Sequence, residues 1–281
     1  MQLATINSVT LRYEVLGDKG PWMALSPGGR REMGNVRPLA QKMAAAGYRV
    51  LIHDRRNCGA SEVAFDGNQS EYEIWADDLA ELLKKLNAAP TIIGGGSSGA
   101  RLAMLYALNY ASRVKALLLW RITGGPFAAQ RLSENYYDQY IRAAEQGGMA
   151  AVAATEHFAQ RIVDNPRNRQ LLDKIGVEEF IGVMKQWRAY FVEGANLPVI
   201  GATEQELNSI KMPVCIIPGN DKTHSHLTGT AAHRMIPGSE LHDLWPGDLD
   251  IDLFPAEDWA KKEVEQAAIF ADFLKRKGLN A

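Results

Sequence analysis

Cysteine is scarce in this chain. Only Cys58 and Cys215 occur, far apart and without metal-ligand spacing, so neither a disulfide framework nor a zinc site is supported. An excess of one charge is also missing: 31 Lys and Arg stand against 33 Asp and Glu, a formal net charge of -2, with the basic residues scattered. That balance gives no field for gathering nucleic acid or an anionic membrane. No apolar run approaches the ~18 residues that a membrane span needs. The start, Met1 to Asn7, lacks the charged and apolar regions of a secretory leader. Repeats and low-complexity segments are absent too. The expectation is a soluble, cytoplasmic protein that acts on a small molecule, with no nucleic-acid or membrane partner; a homodimer stays open.

What is present is a long chain with ample apolar material. Its 281 residues are 46% hydrophobic, enough for one large α/β domain or one domain with an insertion. Leu3 to Ile6 and Val9 to Leu16 flank Asn7-Ser8 as a hairpin. Strands are expected at Trp22 to Leu25, Tyr48 to Ile52, Thr91 to Ile93 and Val114 to Leu119. Helices are expected between them, at Val36 to Ala46 and Trp75 to Leu86. Continuous apolar strands alternating with helices indicate a mostly parallel sheet covered on both faces. From about Gly124 to Ile200 the strand signal disappears and the text turns helical and aromatic. Strand rhythm resumes at Pro213 to Ile217 and at Glu240 to Leu244, and a last helix runs near Trp259 to Arg276. The division is a core of residues 1–123 and 201–281 with a helical lid at 124–200.

Chemistry points to Thr91 to Ala107. A β-branched run leads into Gly94-Gly95-Gly96-Ser97-Ser98-Gly99 and then into a helix-forming series. Gly95 to Gly99 fits G-x-S-x-G, a strand-to-helix elbow whose small neighbours tolerate a strained backbone at the central serine. The helix start also aims free N–H groups and a positive dipole end at any oxyanion formed there. Two other readings use the same letters. Gly94, Gly96 and Gly99 satisfy G-x-G-x-x-G, with Arg121 placed as a cation for a phosphorylated dinucleotide. The serine could also be idle in a tight turn. A P-loop is excluded, because no Gly-Lys-Ser/Thr follows.

Taken in order, the pieces resemble the α/β-hydrolase superfamily over nearly the whole chain, near its epoxide-hydrolase, haloperoxidase and esterase-like branches. Ser26-Pro27-Gly28-Gly29 stands where that family has its oxyanion loop, Asp54 to Ser61 matches its D-x-x-G-x-G-x-S-like turn, and Gly95 to Gly99 matches the elbow. The resemblance implies Ser97 as nucleophile, the N–H groups of Ser98 and Gly29 as oxyanion donors, and Asp221, at the end of Pro218-Gly219-Asn220-Asp221, as the acid. It also implies chemistry without a cofactor.

One family feature is missing. The family's base is a His in the loop after the last strand, and here Trp245 to Pro255 contains none. A serine hydroxyl is a poor nucleophile without a base in reach. His224, three residues past Asp221, is the first replacement, followed by His226, His157 from the lid, and Asp248 in the vacant position. The expected activity is hydrolysis of a small ester, lactone or amide, with an anionic substrate considered. The alternatives on the same scaffold are a lyase or cofactor-free oxygenase, and a silent ligand-binding protein.

Arg30, Arg31, Arg55, Arg56 and Arg121 fall in loops at strand ends, where open parallel sheets bind ligands. They either receive a substrate carboxylate or tie loops together through Asp54, Asp248 or Asp250. Trp120 is the expected aromatic wall, Cys58 falls near the expected pocket rim either as a ligand contact or, as a lone thiol without a neighbouring base more often is, as packing, and the alternating Asp248, Asp250 and Asp252 read as a solvated acidic loop.

Overall fold

The computed structural model describes residues 1–280. In chain order the strands are β1 (Gln2–Ile6), β2 (Val9–Leu16), β3 (Trp22–Ser26), β4 (Arg49–His53), β5 (Thr91–Gly96), β6 (Val114–Trp120), β7 (Val214–Ile217) and β8 (Glu240–Leu241). They form one sheet in the order β1-β2-β4-β3-β5-β6-β7-β8. The β1–β2 and β2–β4 pairs are antiparallel, and all other pairs are parallel.

Crossover helices cover the sheet: α1 (Arg37–Ala45), α2 (Glu71–Lys85) and α3 (Ser98–Asn109) in the first half. Between β6 and β7 come α4 (Gly125–Ser133), α5 (Gln139–Ala154), α6 (Glu156–Asp164), α7 (Arg167–Asp173), α8 (Val177–Gly194) and α9 (Glu204–Ser209). The rest is α10 (His226–Met235), α11 (Ala256–Ala260) and α12 (Glu263–Arg276).

Strand alternation assigns the core. Along β6, Leu117 and Leu119 face one way and join Trp75, Leu79, Leu102 and the insertion aromatics Tyr137, Phe158 and Trp187. Leu118 and Trp120 face the other way and join Leu39, Met43, Phe270 and Phe273 from α1 and α12. Both faces of the central strands are therefore buried, which accounts for their unbroken apolar text.

Two boundaries differ from the sequence pattern. Helix α2 begins at Glu71, four residues before the apolar pattern starts, because Ser70 and Glu73 form a reciprocal capping box. Strand β8 keeps only two of its five expected residues, since the chain turns away after His242 donates its N–H to the Ile216 carbonyl.

The sheet order reverses at β3, which has β4 on one side and β5 on the other. At such a switch point the loops leaving adjacent strands diverge and open a crevice beyond their carboxyl ends. The loop after β3 carries Gly28 and Gly29, and the turn after β5 carries Ser97.

Candidate active site

The turn at Ser97 is built by close approach. A side chain on Gly95 would begin 2.2 Å from the backbone of Gly99, and one on Gly99 would begin 2.2 Å from the Ser26 carbonyl oxygen. Strand end, helix start and neighbouring loop cross at backbone distance, so only hydrogen fits at both positions. Ser97 itself takes φ 55° and ψ -117°, a strained conformation for a residue with a Cβ. Its N–H donates to the Trp120 carbonyl at 3.0 Å, which pins the turn to β6. Ser98 follows as the first residue of α3, where helix N–H groups have no intrahelical partner. Its side chain is committed elsewhere, sharing a hydrogen bond with the Tyr72 hydroxyl at 2.8 Å.

Beyond β7 the chain folds back tightly. A Cβ on Gly219 would lie 2.0 Å from the His224 carbonyl oxygen, so the turn returns over a glycine. His224 Nε2 lies 2.8 Å from Ser97 Oγ, and His224 Nδ1 lies 3.0 Å from Asp221 Oδ1. Asp221 and His224 are buried, while Ser97 is half-buried. Five donors converge on the Asp221 carboxylate: the Nδ1 and backbone N–H of His224, the N–H groups of Thr223 and Phe254, and Arg121 Nη2 at 2.9 Å. Burial alone would raise the Asp221 pKa, but the hydrogen bond and charge of His224, the Phe254 N–H and the Arg121 charge together hold it below the usual carboxylate range. Asp221 is therefore an anion and only an acceptor.

This fixes the histidine tautomer. Facing a carboxylate, Nδ1 carries the proton and donates it. Burial lowers the His224 pKa to about 4, aided by the Arg121 and Arg101 charges against the opposing effect of Asp221. The ring is then neutral near pH 7, and Nε2 presents a free lone pair to the Ser97 hydroxyl.

The Trp245 to Pro255 segment clamps the same turn. Lys222 donates to the Ile251 carbonyl at 2.9 Å, Leu249 to the Asn220 carbonyl at 2.8 Å, and Thr223 Oγ1 to the Asp252 carbonyl at 2.6 Å. Arg121 Nη2 joins both parts, bonding the Asp221 carboxylate and, at 3.0 Å, the Phe254 carbonyl.

Across from the elbow, the point where a Gly28 side chain would begin is 3.1 Å from Ser97 Cβ. Gly29 has φ +48°. Arg55 is buried and donates to the Gly29 carbonyl at 2.5 Å and the Gly28 carbonyl at 3.3 Å, with its guanidinium 4.3 Å from the Trp75 ring centroid. Arg55 is thus an internal anchor of this loop and not a ligand contact.

A cavity of about 480 Å³ opens over these groups. Gly28, Gly29, Ser97, Trp120 and His224 line it from the core, and Leu132, Tyr136, Tyr140 and His157 line it from the helices between β6 and β7. The His157 imidazole lies 3.0 Å from the Asn57 carbonyl, with burial and then the Arg30 and Arg161 charges holding its pKa well below the ordinary value.

Several expectations need correction. Asp248 is exposed and outside the cavity; it accepts from Ser225 Oγ and from the His226 N–H at the start of α10, a capping role. His226 turns to Asp243 at 2.7 Å. Cys58 is fully buried in the core and does not reach the rim. Four of the five loop arginines are engaged, none with an expected partner: Arg30 with Glu71, Arg56 with Asp78, Arg121 with Asp221, and Arg55 with the two glycine carbonyls. Arg30 still lines the cavity, although buried against Tyr137. Among the described residues no cluster of His, Cys, Asp or Glu is arranged to hold a metal ion, and no helix is long and apolar enough to cross a membrane.

Comparison with known proteins follows the same architecture. A family model described as alpha/beta hydrolase fold matches residues 25–136, from β3 through the elbow to the start of the insertion. The chain has the α/β-hydrolase fold. An enol-lactonase from Burkholderia xenovorans superposes with a TM-score of 0.64 at 21% identity, over 98% of this chain and 100% of that one. A thermophilic esterase from Thermogutta terrifontis gives 0.65 at 19% identity, over 97% and 99%. A bromoperoxidase from Bacillus anthracis gives 0.64 at 19%, over 98% and 99%. At these identities the likeness is one of fold. In sequence, a proline iminopeptidase from Pestalotiopsis fici is 32% identical over 124 residues, which cover 42% of this chain and 43% of that protein. In this chain Asp221 and His224 share one turn after β7, and the loop after β8 supplies a backbone clamp.

Proposed function

We propose that this chain is a serine hydrolase that cleaves a small ester, lactone or amide. The reading is carried by one observation: an unbroken hydrogen-bonded line from Ser97 Oγ through a neutral His224 to an ionised Asp221, opening on a cavity. The esterase and lactonase among the structural neighbours and the iminopeptidase relative are consistent with it.

In this mechanism His224 Nε2 takes the hydroxyl proton as Ser97 Oγ attacks the carbonyl carbon, and Asp221 stabilises the imidazolium that forms. The carbonyl oxygen becomes an oxyanion held by the N–H groups of Gly29 and Ser98, each such donor contributing about 3 kcal/mol. When the tetrahedral species collapses, the proton on His224 goes to the leaving alcohol or amine. A water molecule, deprotonated by the same nitrogen, then attacks the acyl-serine and releases the acid. The helices between β6 and β7 act as a lid whose Leu132, Tyr136 and Tyr140 form an apolar roof.

The test is labelling with a fluorophosphonate probe. Wild-type protein should be labelled at Ser97, Ser97→Ala should not be labelled, and His224→Ala should label at least about a hundredfold more slowly. Labelling that persists in Ser97→Ala, or none in the wild type, overturns the reading.

A further inference from the structure

The charges around the cavity do not balance. Its basic and acidic lining side chains are Arg30, Arg31, Arg121, Arg131, His157, His224 and one carboxylate, Glu263. Both histidines are neutral near pH 7, because their pKa values are depressed. Glu263 is bound by Lys42 at 3.2 Å, Arg30 by Glu71 at 2.9 Å and Arg121 by Asp221 at 2.9 Å. Arg31 and Arg131 remain, and among the described residues neither has a carboxylate within ion-pair distance.

Their places in the fold are specific. Arg31 ends the Gly28–Gly29 loop, its N–H donating to the Gly28 carbonyl at 3.2 Å. The point where a Gly29 side chain would begin is 3.0 Å from Tyr136 Oη and 3.8 Å from Arg31 Cγ, so the Arg31 stem and the tyrosine hydroxyl flank that glycine together. Arg131 belongs to α4, the first insertion helix, five residues before Tyr136. One cation, itself exposed, thus stands at the rim of the core wall beside Gly29, and the other, half-buried, stands on the insertion wall. The Arg31 charge also contributes to lowering the Arg121 pKa, behind burial and against the opposing effect of Asp221, so Arg31 is near enough to act on the same cavity wall.

We propose that Arg31 and Arg131 recognise a carboxylate on the substrate, so that the preferred substrates are small esters, lactones or amides carrying a second, free acid group. The proposal rests on this cavity being the substrate site. Guanidinium groups pair with carboxylates through two parallel hydrogen bonds, and the half-buried Arg131 is screened less than the exposed Arg31.

The experiment separates charge recognition from chemistry. Binding of glutarate and of its uncharged diamide to Ser97→Ala is followed by calorimetry, alongside Arg31→Gln, Arg131→Gln and Arg131→Lys in the same background. Glutarate should bind at least tenfold more tightly than the diamide. Each Gln variant should remove most of that difference, and Arg131→Lys should restore part of it, with thermal melting verifying that every variant is folded. In parallel, wild-type kcat/KM is compared for the 4-nitrophenyl monoester of glutaric acid and for 4-nitrophenyl pentanoate, and for 4-carboxyphenyl and phenyl butyrate. One charged member of these two pairs should be favoured through KM, which locates the acid group on the acyl or the leaving side. Equal binding of glutarate and diamide, or Gln variants that bind glutarate like the parent, overturns the proposal. Arginine-dependent glutarate binding in a protein that no fluorophosphonate labels would instead overturn the serine mechanism and leave the carboxylate site standing.

Discussion

Asp221 and His224 stand three residues apart on one turn, and their side chains meet at 3.0 Å while the imidazole also reaches Ser97. With His224 as the proposed base, the pH dependence of activity follows from this burial. A base works only when neutral, and the His224 pKa is lowered to about 4, with burial the leading cause. The ring therefore stays neutral as pH falls through 6.5 and takes up its proton only near 4. The expected kcat/KM profile rises through about pH 4 and is flat across 6.5; an acid limb at 6.5 or above would contradict it. Folding stability has the matching sign. The unfolded chain binds this proton below about 6.5 and the native chain does not, so the contribution of this group to stability declines as pH drops from 6.5 towards 4.

Arg121 is expected to act through Asp221. Its charge lowers the His224 pKa and helps keep Asp221 ionised. In Arg121→Gln the acid limb should move to higher pH and kcat should fall on the order of tenfold, the size of one charged hydrogen bond. Arg121→Lys should recover part of both effects. A Gln variant with an unmoved limb would reduce Arg121 to a structural tie.

The two aspartates near this turn should separate cleanly. Asp221→Asn cannot accept the Nδ1 proton in the same way, and a loss of about 10⁴ in kcat is expected. Asp248→Ala removes only a cap on α10, so stability should drop by about 1 kcal/mol with activity within about twofold of wild type. Denaturant unfolding and steady-state kinetics on the two variants check both statements.

Glycine replacements should divide by the space around them. A methyl on Gly99 would meet the Ser26 carbonyl at 2.2 Å, whereas one on Gly182, within α8, meets nothing within 4 Å. Gly99→Ala should lower Tm by several degrees, from about 1–3 kcal/mol of overpacking. Gly182→Ala should raise stability by about 0.5–1 kcal/mol, as alanine does inside helices. Paired thermal melts decide this.

Sheet and elbow were legible because their physics is local. Apolar runs such as Val114 to Leu119 need burial on both faces, and Gly95-Gly96-Ser97-Ser98-Gly99 spells a backbone crossing too close for side chains. The capping box at Ser70 and Glu73 was equally readable, yet the apolar period alone starts that helix late. Partner choice was less accessible. Nothing near Arg56 in sequence points to Asp78, nothing near Arg30 to Glu71, and the Asp248 capping contact depends on where a long loop returns. Arg131 carries no signal in the sequence, because its meaning comes only from the cavity wall it joins and from the missing counter-ion there.

A single short turn after β7 carries both the carboxylate and the imidazole, clamped by the Lys222, Thr223 and Leu249 hydrogen bonds. Any slippage of that turn carries the two groups along as one rigid body. Their mutual alignment would survive, and the separation from the serine would be what changes. On the proposed mechanism, mutations that loosen the clamp should accordingly dim activity by changing how often the pair is docked, leaving the rate of each docked encounter untouched.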